Sequence, residues 1–218
     1  MARIVVFGAS GMIGRRIVRE ALDRGHHVTA VARDISRITS SAEGLTVAAG
    51  DATDPQSVAG LALGSDVVVS AIAPPHGPGV DAEEALLAAA DGLIDGLRPL
   101  GEDAPLLIVV GGAGSLEVAP GLRLLDAPGF PDEYRPAALA HAAALEHYRK
   151  VVDLAWTVLS PPTTIAPGER TGVFRLGGDT LLSDAEGNSN ISAEDFAVAI
   201  LNEAEAPSHL GHRFTAAY

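Results

Sequence analysis

Gly8, Gly11 and Gly14 stand three residues apart, between a short apolar run, Ile4–Phe7, and an amphipathic stretch that opens at about Gly11. A strand that breaks into small residues and resumes as a helix offers backbone N–H groups and the positive end of a helix dipole beyond the strand end. That is chemistry for an anion. Two linked phosphates need what these positions supply: a tight turn at Gly8, close backbone approach at Gly11 and close helix–strand packing at Gly14. The spacing is G-x-x-G-x-x-G instead of the commoner G-x-G-x-x-G. Its setting between a strand and a helix gives it weight that a bare glycine pattern lacks. Ser10, Met12 and Ile13 fill the rest of the loop.

The residue after the second strand selects between nucleotides. A carboxylate there accepts from a ribose 2′-hydroxyl, whereas Val31-Ala32 is followed here by Arg33, with Arg37 one turn on. A guanidinium pairs bidentately with a 2′-phosphate, so NADP(H) is expected in preference to NAD(H). The neighbouring Asp34 works against this, and a plain solvated role for Arg33 stays open. Asp51, with Ala52 beside it, is placed either to accept from an adenine amino group or to serve as a strand-end turn residue. Ala71, Ile72 and Ala73 follow the fourth strand, where the chain passes under the cofactor ribose in folds of this type.

Candidates for catalysis are fewer. Tyr134, at a helix start, could give a proton or stack on an acceptor ring, or be an ordinary helix-start aromatic. Ser115 sits in a glycine-rich turn and could hydrogen-bond a substrate or the nicotinamide. His141 is a candidate proton donor; His147, six residues on, does not share its face, so the two make no metal pair. His76, in the Pro/Gly loop Ala73–Gly79, could reach phosphates or an acceptor. No His/Asp/Glu cluster has metal-ligand spacing, so no metal is expected. Trp156 reads as core.

The elements that position these residues are legible from the hydrophobic pattern. Strands are expected at Ile4–Phe7, His27–Ala32, Leu45–Ala49, Asp66–Ala71 (central), Pro105–Val110, Trp156–Leu159 and near Arg213–Ala216. Helices are expected at Gly11–Arg24, after Asp54-Pro55, at Ala82–Leu97, Asp132–Val152 and Ser192–Glu203. Residues Gly111–Pro131 have no clear pattern, and Val173–Leu182 reads as hairpin-like. Strands alternating with helices predict an α/β fold, a doubly wound parallel sheet. The expectation is one domain over residues 1–218, with a small C-terminal substrate-side lobe drawn mainly from 160–218.

The chain has 218 residues, 47% of them hydrophobic and 4% aromatic, so its core is built from Ala, Val, Leu and Ile. A net charge of −13 argues against nucleic acid or an anionic membrane as partner. With no cysteine, disulfides, thiolate catalysis and cysteine-held metals are excluded. No apolar stretch reaches spanning length, and Ile4–Phe7 is too short for a signal segment. A cytoplasmic protein is expected; oligomerisation is left open.

Taken together, Gly8-Ala-Ser-Gly-Met-Ile-Gly14, Val31-Ala-Arg33, Gly50-Asp51, Val109-Val-Gly-Gly-Ala-Gly-Ser-Leu116, Trp156-Thr-Val-Leu-Ser-Pro-Pro162 and Ile191-Ser-Ala-Glu-Asp195 carry a likeness that runs nearly end to end. The chain resembles the atypical short-chain dehydrogenase/reductases with an NAD(P)H-binding domain, in the NADH-flavin reductase branch. Biliverdin/flavin reductases and NmrA-like redox sensors are relatives of that branch. The resemblance implies a Rossmann fold and hydride transfer from a reduced nicotinamide. It places Gly8 and Ser10–Ile13 on the pyrophosphate, Arg33 on the 2′-phosphate, Asp51 on the adenine, and Ser160, Pro161 and Thr163 near the nicotinamide.

Two features depart from the wider superfamily. The Tyr-x-x-x-Lys pair is absent, because Tyr134 is followed four residues later by Ala138; Gly111-Gly112 replace the usual serine. That disfavours ordinary carbonyl reduction and nucleotide-sugar epimerisation. It suits a flavin or quinone-like acceptor, whose proton can come from water. A non-catalytic NADP(H) sensor is the alternative.

Overall fold

A computed structural model describes residues 1–75, 77 and 79–218; His76 lies outside the described residues. From the N-terminus come β1 (Arg3–Phe7), α1 (Gly14–Asp23), β2 (His27–Ala32), β3 (Leu45–Ala49), α2 (Pro55–Ala62), β4 (Val67–Ser70), α3 (Ala82–Leu97) and β5 (Leu106–Val110). A small hairpin of β6 (Glu117–Ala119) and β7 (Leu122–Arg123) precedes α4 (Arg135–Tyr148) and β8 (Trp156–Ser160). The chain ends with β9 (Thr164–Ala166), β10 (Arg175–Gly177), β11 (Asn190–Ser192), α5 (Ala193–Glu205) and β12 (Arg213–Ala217).

Eight strands form the central sheet in the order β10-β12-β8-β5-β4-β1-β2-β3. Every neighbouring pair is parallel except β10 with β12. The period-2 pleat sorts β1 cleanly. Ile4 and Val6 pack with α1 and α5, while Val5 and Phe7 join α2, α3 and α4 on the other face. Central strands β4, β5 and β8 are buried throughout, as strands covered on both faces must be. The Rossmann-like order reverses at β1, which has β2 on one side and β4 on the other. Ligands of such sheets bind in the crevice outside the strands' carboxyl ends at that reversal.

Local chemistry sets several boundaries. Asp54 caps α2 by accepting from Gln56 N, with Pro55 in the first turn. Asp81 caps α3 through Glu83 N and Glu84 N, and Ser192 caps α5 through Asp195 N. Some expected boundaries shift. α1 begins at Gly14, because residues 8–13 are spent on the turn. One 3₁₀ turn, Asp132–Tyr134, precedes α4, which stops at Tyr148 instead of Val152. There Val151 N bonds Tyr148 O, and Val151 O accepts from Trp156 Nε1 at 3.0 Å.

The hairpin expected at Val173–Leu182 does not form. Only Arg175–Gly177 is strand, and it pairs with β12; Leu181 N bonds Glu117 O and Glu117 N bonds Asp179 O, so the second half is drawn to β6. Of residues 160–218, β10, β12 and α5 thus complete the main sheet and its layer. The segment between β9 and β10 is tied down by two buried carboxylates. Asp195 accepts from Thr171 Oγ1, Gly172 N and Tyr218 OH. Glu20 takes Arg170 through both Nε and Nη2 at 2.7 Å, and Arg24 Nε at 2.8 Å.

The bond from Arg170, then Arg24, holds the Glu20 carboxyl below its ordinary value of 4.5. A depressed carboxyl adds stability above its unfolded value and loses it as pH falls through the folded one. Glu20→Gln is expected to cost about 1.5–3 kcal/mol at neutral pH. In urea titrations the difference from the parent protein should shrink below about pH 4.

Candidate functional site

Gly8 follows β1 with φ +76°, and a Cβ built on it would lie 2.5 Å from Ala71 O. A Cβ on Gly14 would meet Gly8 O at 2.1 Å. Both positions therefore demand glycine. Gly11 N donates to Gly8 O at 3.0 Å and closes the turn, while Ala9 N bonds Val31 O across to β2. No side chain caps the first turn of α1, which leaves its N-terminal N–H groups for an anion. A loop this tight between β1 and β4, opening on an uncapped helix end, fits a pyrophosphate. Arg16 fixes the loop from behind, with Nη1 on Met12 O at 2.7 Å and Nε on Glu194 at 2.6 Å. Glu194 also accepts from Gly168 N at 2.7 Å. The sequence gives no signal for this brace, whose members lie 178 residues apart.

Arg33 emerges exposed from the end of β2. Asp34 is not its partner, since Oδ1 takes Ser36 N at 3.0 Å and Ser36 Oγ at 2.7 Å. Those bonds, with the charge of Arg37, hold the Asp34 carboxyl below the usual range. Asp51 accepts from Thr53 N and Thr53 Oγ1, each at 2.9 Å, so it is a turn residue in this structure. The Thr53 bonds, with the charge of Arg33, hold its carboxyl low. Ala52 is buried, Ala71 and Ile72 are half-buried, and Ala73 is exposed. On the far side Pro161 is buried, and Thr163 Oγ1 donates to Ser189 O at 2.7 Å.

The three catalytic candidates sit in different surroundings. Ser115 Oγ accepts from the buried Arg213 at 2.9 Å, and Arg213 Nε donates to Asp179 at 2.8 Å. The bond ties the β5–α4 connection to the sheet and leaves the Ser115 hydroxyl proton free to donate. Tyr134 is 61% exposed at the start of α4. His141 packs on the backbone of Gly112, where a built Cβ would lie 2.9 Å from the imidazole.

Burial pushes His141 down to about 4, so at neutral pH it is uncharged and carries a single N–H. Tyr148, seven residues on, is raised by burial and then by Asp91. Ser70, Gly111, His141 and Tyr148 line an enclosed cavity of about 20 Å³, the size of one water. A histidine that resists protonation in the fold weakens that fold wherever the unfolded chain takes the proton. Stability should therefore decline as pH falls from about 6.5 towards 4. His141→Leu should flatten that decline when unfolding midpoints are compared at pH 7 and pH 5.

A groove, not anticipated from the sequence, lies between the connection leaving β4 and the first turns of α4. Val80, Asp81 and Glu83 line one side; Asp132, Arg135 and Leu139 line the other. Among the described residues no group of three metal-binding side chains occurs, and no helix is long and apolar enough to cross a membrane.

The NAD(P)H-binding family matches residues 8–207. A protein from Burkholderia pseudomallei described as exported is 45% identical, with all of both chains covered and a TM-score of 0.86. A Bacteroides thetaiotaomicron protein provisionally named an epimerase is 38% identical over all of this chain and 97% of its own, with a TM-score of 0.90. A Streptococcus pneumoniae protein provisionally named an NADH-flavin reductase is 30% identical over all of this chain and 99% of its own, with a TM-score of 0.82.

Proposed function

Because this chain belongs to the NAD(P)H-binding family, we propose that it is an NADPH-dependent reductase that passes hydride to a flavin, quinone or other flat conjugated acceptor. The observation that carries the reading is the glycine turn, with Gly8 against Ala71 and Gly14 against Gly8, standing where the strand order reverses. In this reading Gly8, Ser10, Gly11, Met12 and Ile13 hold the pyrophosphate. Arg33 takes the 2′-phosphate, and Asp51 with Ala52 borders the adenine. Ala71–Ala73 pass under the ribose, and Pro161 and Thr163 border the nicotinamide. A reduced nicotinamide bound there supplies a hydride, two electrons with one proton.

The residues of the chain account for the acceptor class. Tyr134 stands in solvent with Ala138 where the wider superfamily has lysine, His141 is uncharged, and Ser115 is held by Arg213. No described group is thus tuned to protonate a carbonyl oxygen. A flavin or quinone takes its second proton from water, so the protein need only align two flat rings. The name of the Streptococcus relative supports this class. The name of the Bacteroides relative suggests epimerisation, which the missing Tyr/Lys pair disfavours.

NADPH oxidation followed by absorbance, with FMN, FAD and a quinone offered in turn and NADH in parallel, tests the proposal. Acceptor-dependent oxidation faster with NADPH is the expected result. Tight, discriminating nucleotide binding with no oxidation would replace it with the redox-sensor reading.

A further inference from the structure

We propose that the acceptor seat takes an uncharged ring, a neutral quinone, in preference to a flavin nucleotide or any other anionic acceptor. This rests on the reductase reading above. The seat is the groove between the β4–α3 connection and the start of α4. β4 and β5 are paired neighbours, and both connections leave their carboxyl ends next to the reversal of strand order. Val80 and Leu139, 47% and 41% exposed, stand on its two sides with Pro136. Exposed apolar groups on both sides of an open groove offer contact to a flat ring.

The charge around that ring is one-sided. Asp81, Glu83 and Asp132 line the groove, and α3 continues the same sign with Glu84 and Asp91. Asp81 is fixed in place as the cap of α3. Among the described lining residues the one cation is Arg135, and two of its three guanidinium nitrogens are engaged. Nε pairs with Asp132 at 3.4 Å, Nη1 donates to Leu125 O at 3.0 Å, and the group sits 5.6 Å from the Phe130 ring centre. Within a screening length of about 8 Å, a sulfonate or phosphate entering here meets three carboxylates and one arginine already shared with Asp132, Leu125 O and the Phe130 ring. Reduction of a neutral quinone balances without further groups: hydride and one solvent proton give the hydroquinone, and NADPH becomes NADP⁺.

The test offers 1,4-naphthoquinone and its 2-sulfonate, which share a ring and differ by one charge. The sulfonate withdraws electrons and is intrinsically the easier acceptor, so a preference for the parent quinone must come from the protein. At low salt kcat/KM should be about tenfold higher for the uncharged quinone, with FMN poorer than the sulfonate. The gap should close towards about twofold in about 0.5 M NaCl and in the Glu83→Gln/Asp132→Asn double variant. Calorimetric titration of the NADP⁺-loaded protein with both quinones should give the same order of affinity without turnover. Equal or better use of the sulfonate or FMN at low salt overturns the inference and leaves the reductase standing. Oxidation with no acceptor at all overturns both.

Discussion

Gly8→Ala should destabilise the protein by roughly 2–5 kcal/mol and weaken NADPH binding about a hundredfold. Two costs add. Gly8 has φ +76°, where an L-residue loses about 1–2 kcal/mol. Its new methyl would also stand 2.5 Å from Ala71 O and 2.8 Å from Ala71 C, both main-chain atoms that move only with β4. Overpacking of that kind costs about 1–3 kcal/mol. For a chain of this size the sum lowers the melting temperature by roughly 5–15 °C. Relief of the clash pushes the phosphate loop off the end of β4, which is why affinity falls with stability.

Gly25→Ala is the control. Its φ is +80°, but nothing lies within 4 Å of the added carbon, so it bears the strain alone. Calorimetric melting and nucleotide titration of the two variants separate the costs. If Gly8→Ala melts like Gly25→Ala and binds like the parent, β1 and the β4 connection are not packed as described. Gly14→Ala should fall with Gly8→Ala, because its methyl would lie 2.1 Å from Gly8 O.

These glycines were legible in the sequence because their demand is local: strand, turn and helix follow one another within a dozen residues. The same holds for β2, β3 and α3, which occupy the expected spans, and for the Asp54 cap. Local breaks bound these spans, Gly25 and Arg33 around β2 and Gly44 and Gly50 around β3, and caps act over three residues. Residues 173–182 failed as a hairpin for the opposite reason. Their pairing is set by Glu117 and by the terminal strand, which no local pattern announces.

The candidate catalytic residues were less legible than the glycine turn on the same grounds. Ser115 looked available because its residue type and turn suited a substrate contact; Arg213, 98 residues away, engages its hydroxyl. His141 looked like an acid until the fold packed it, half-buried, on Gly112. The groove walls Val80 and Leu139 belong to different helical units and read as ordinary surface residues in the chain. Residue type predicts what a side chain can do, whereas its protonation and partners are properties of the fold.

Arg33→Ala should weaken NADPH binding about 10- to 100-fold and leave NADH within about twofold, since a charged hydrogen bond is worth about 1.5–3 kcal/mol and 1.4 kcal/mol is a factor of ten. The conflict seen in the sequence, an aspartate beside the arginine, is resolved by geometry. Asp34 spends Oδ1 on Ser36 as the cap of the short turn Ile35–Arg37 and makes no ion pair with Arg33. Arg33→Lys should recover only part of the affinity, because an ammonium cannot pair with a phosphate in two parallel bonds. Asp34→Ala separates the two roles of that residue. As a capping residue its loss should loosen the turn and weaken NADPH binding severalfold, whereas as a neutraliser of Arg33 its loss would tighten it. Parallel titrations with NADPH and NADH decide the matter. Equal losses for both nucleotides in Arg33→Ala would remove Arg33 from the 2′-phosphate and with it the preference for NADP(H).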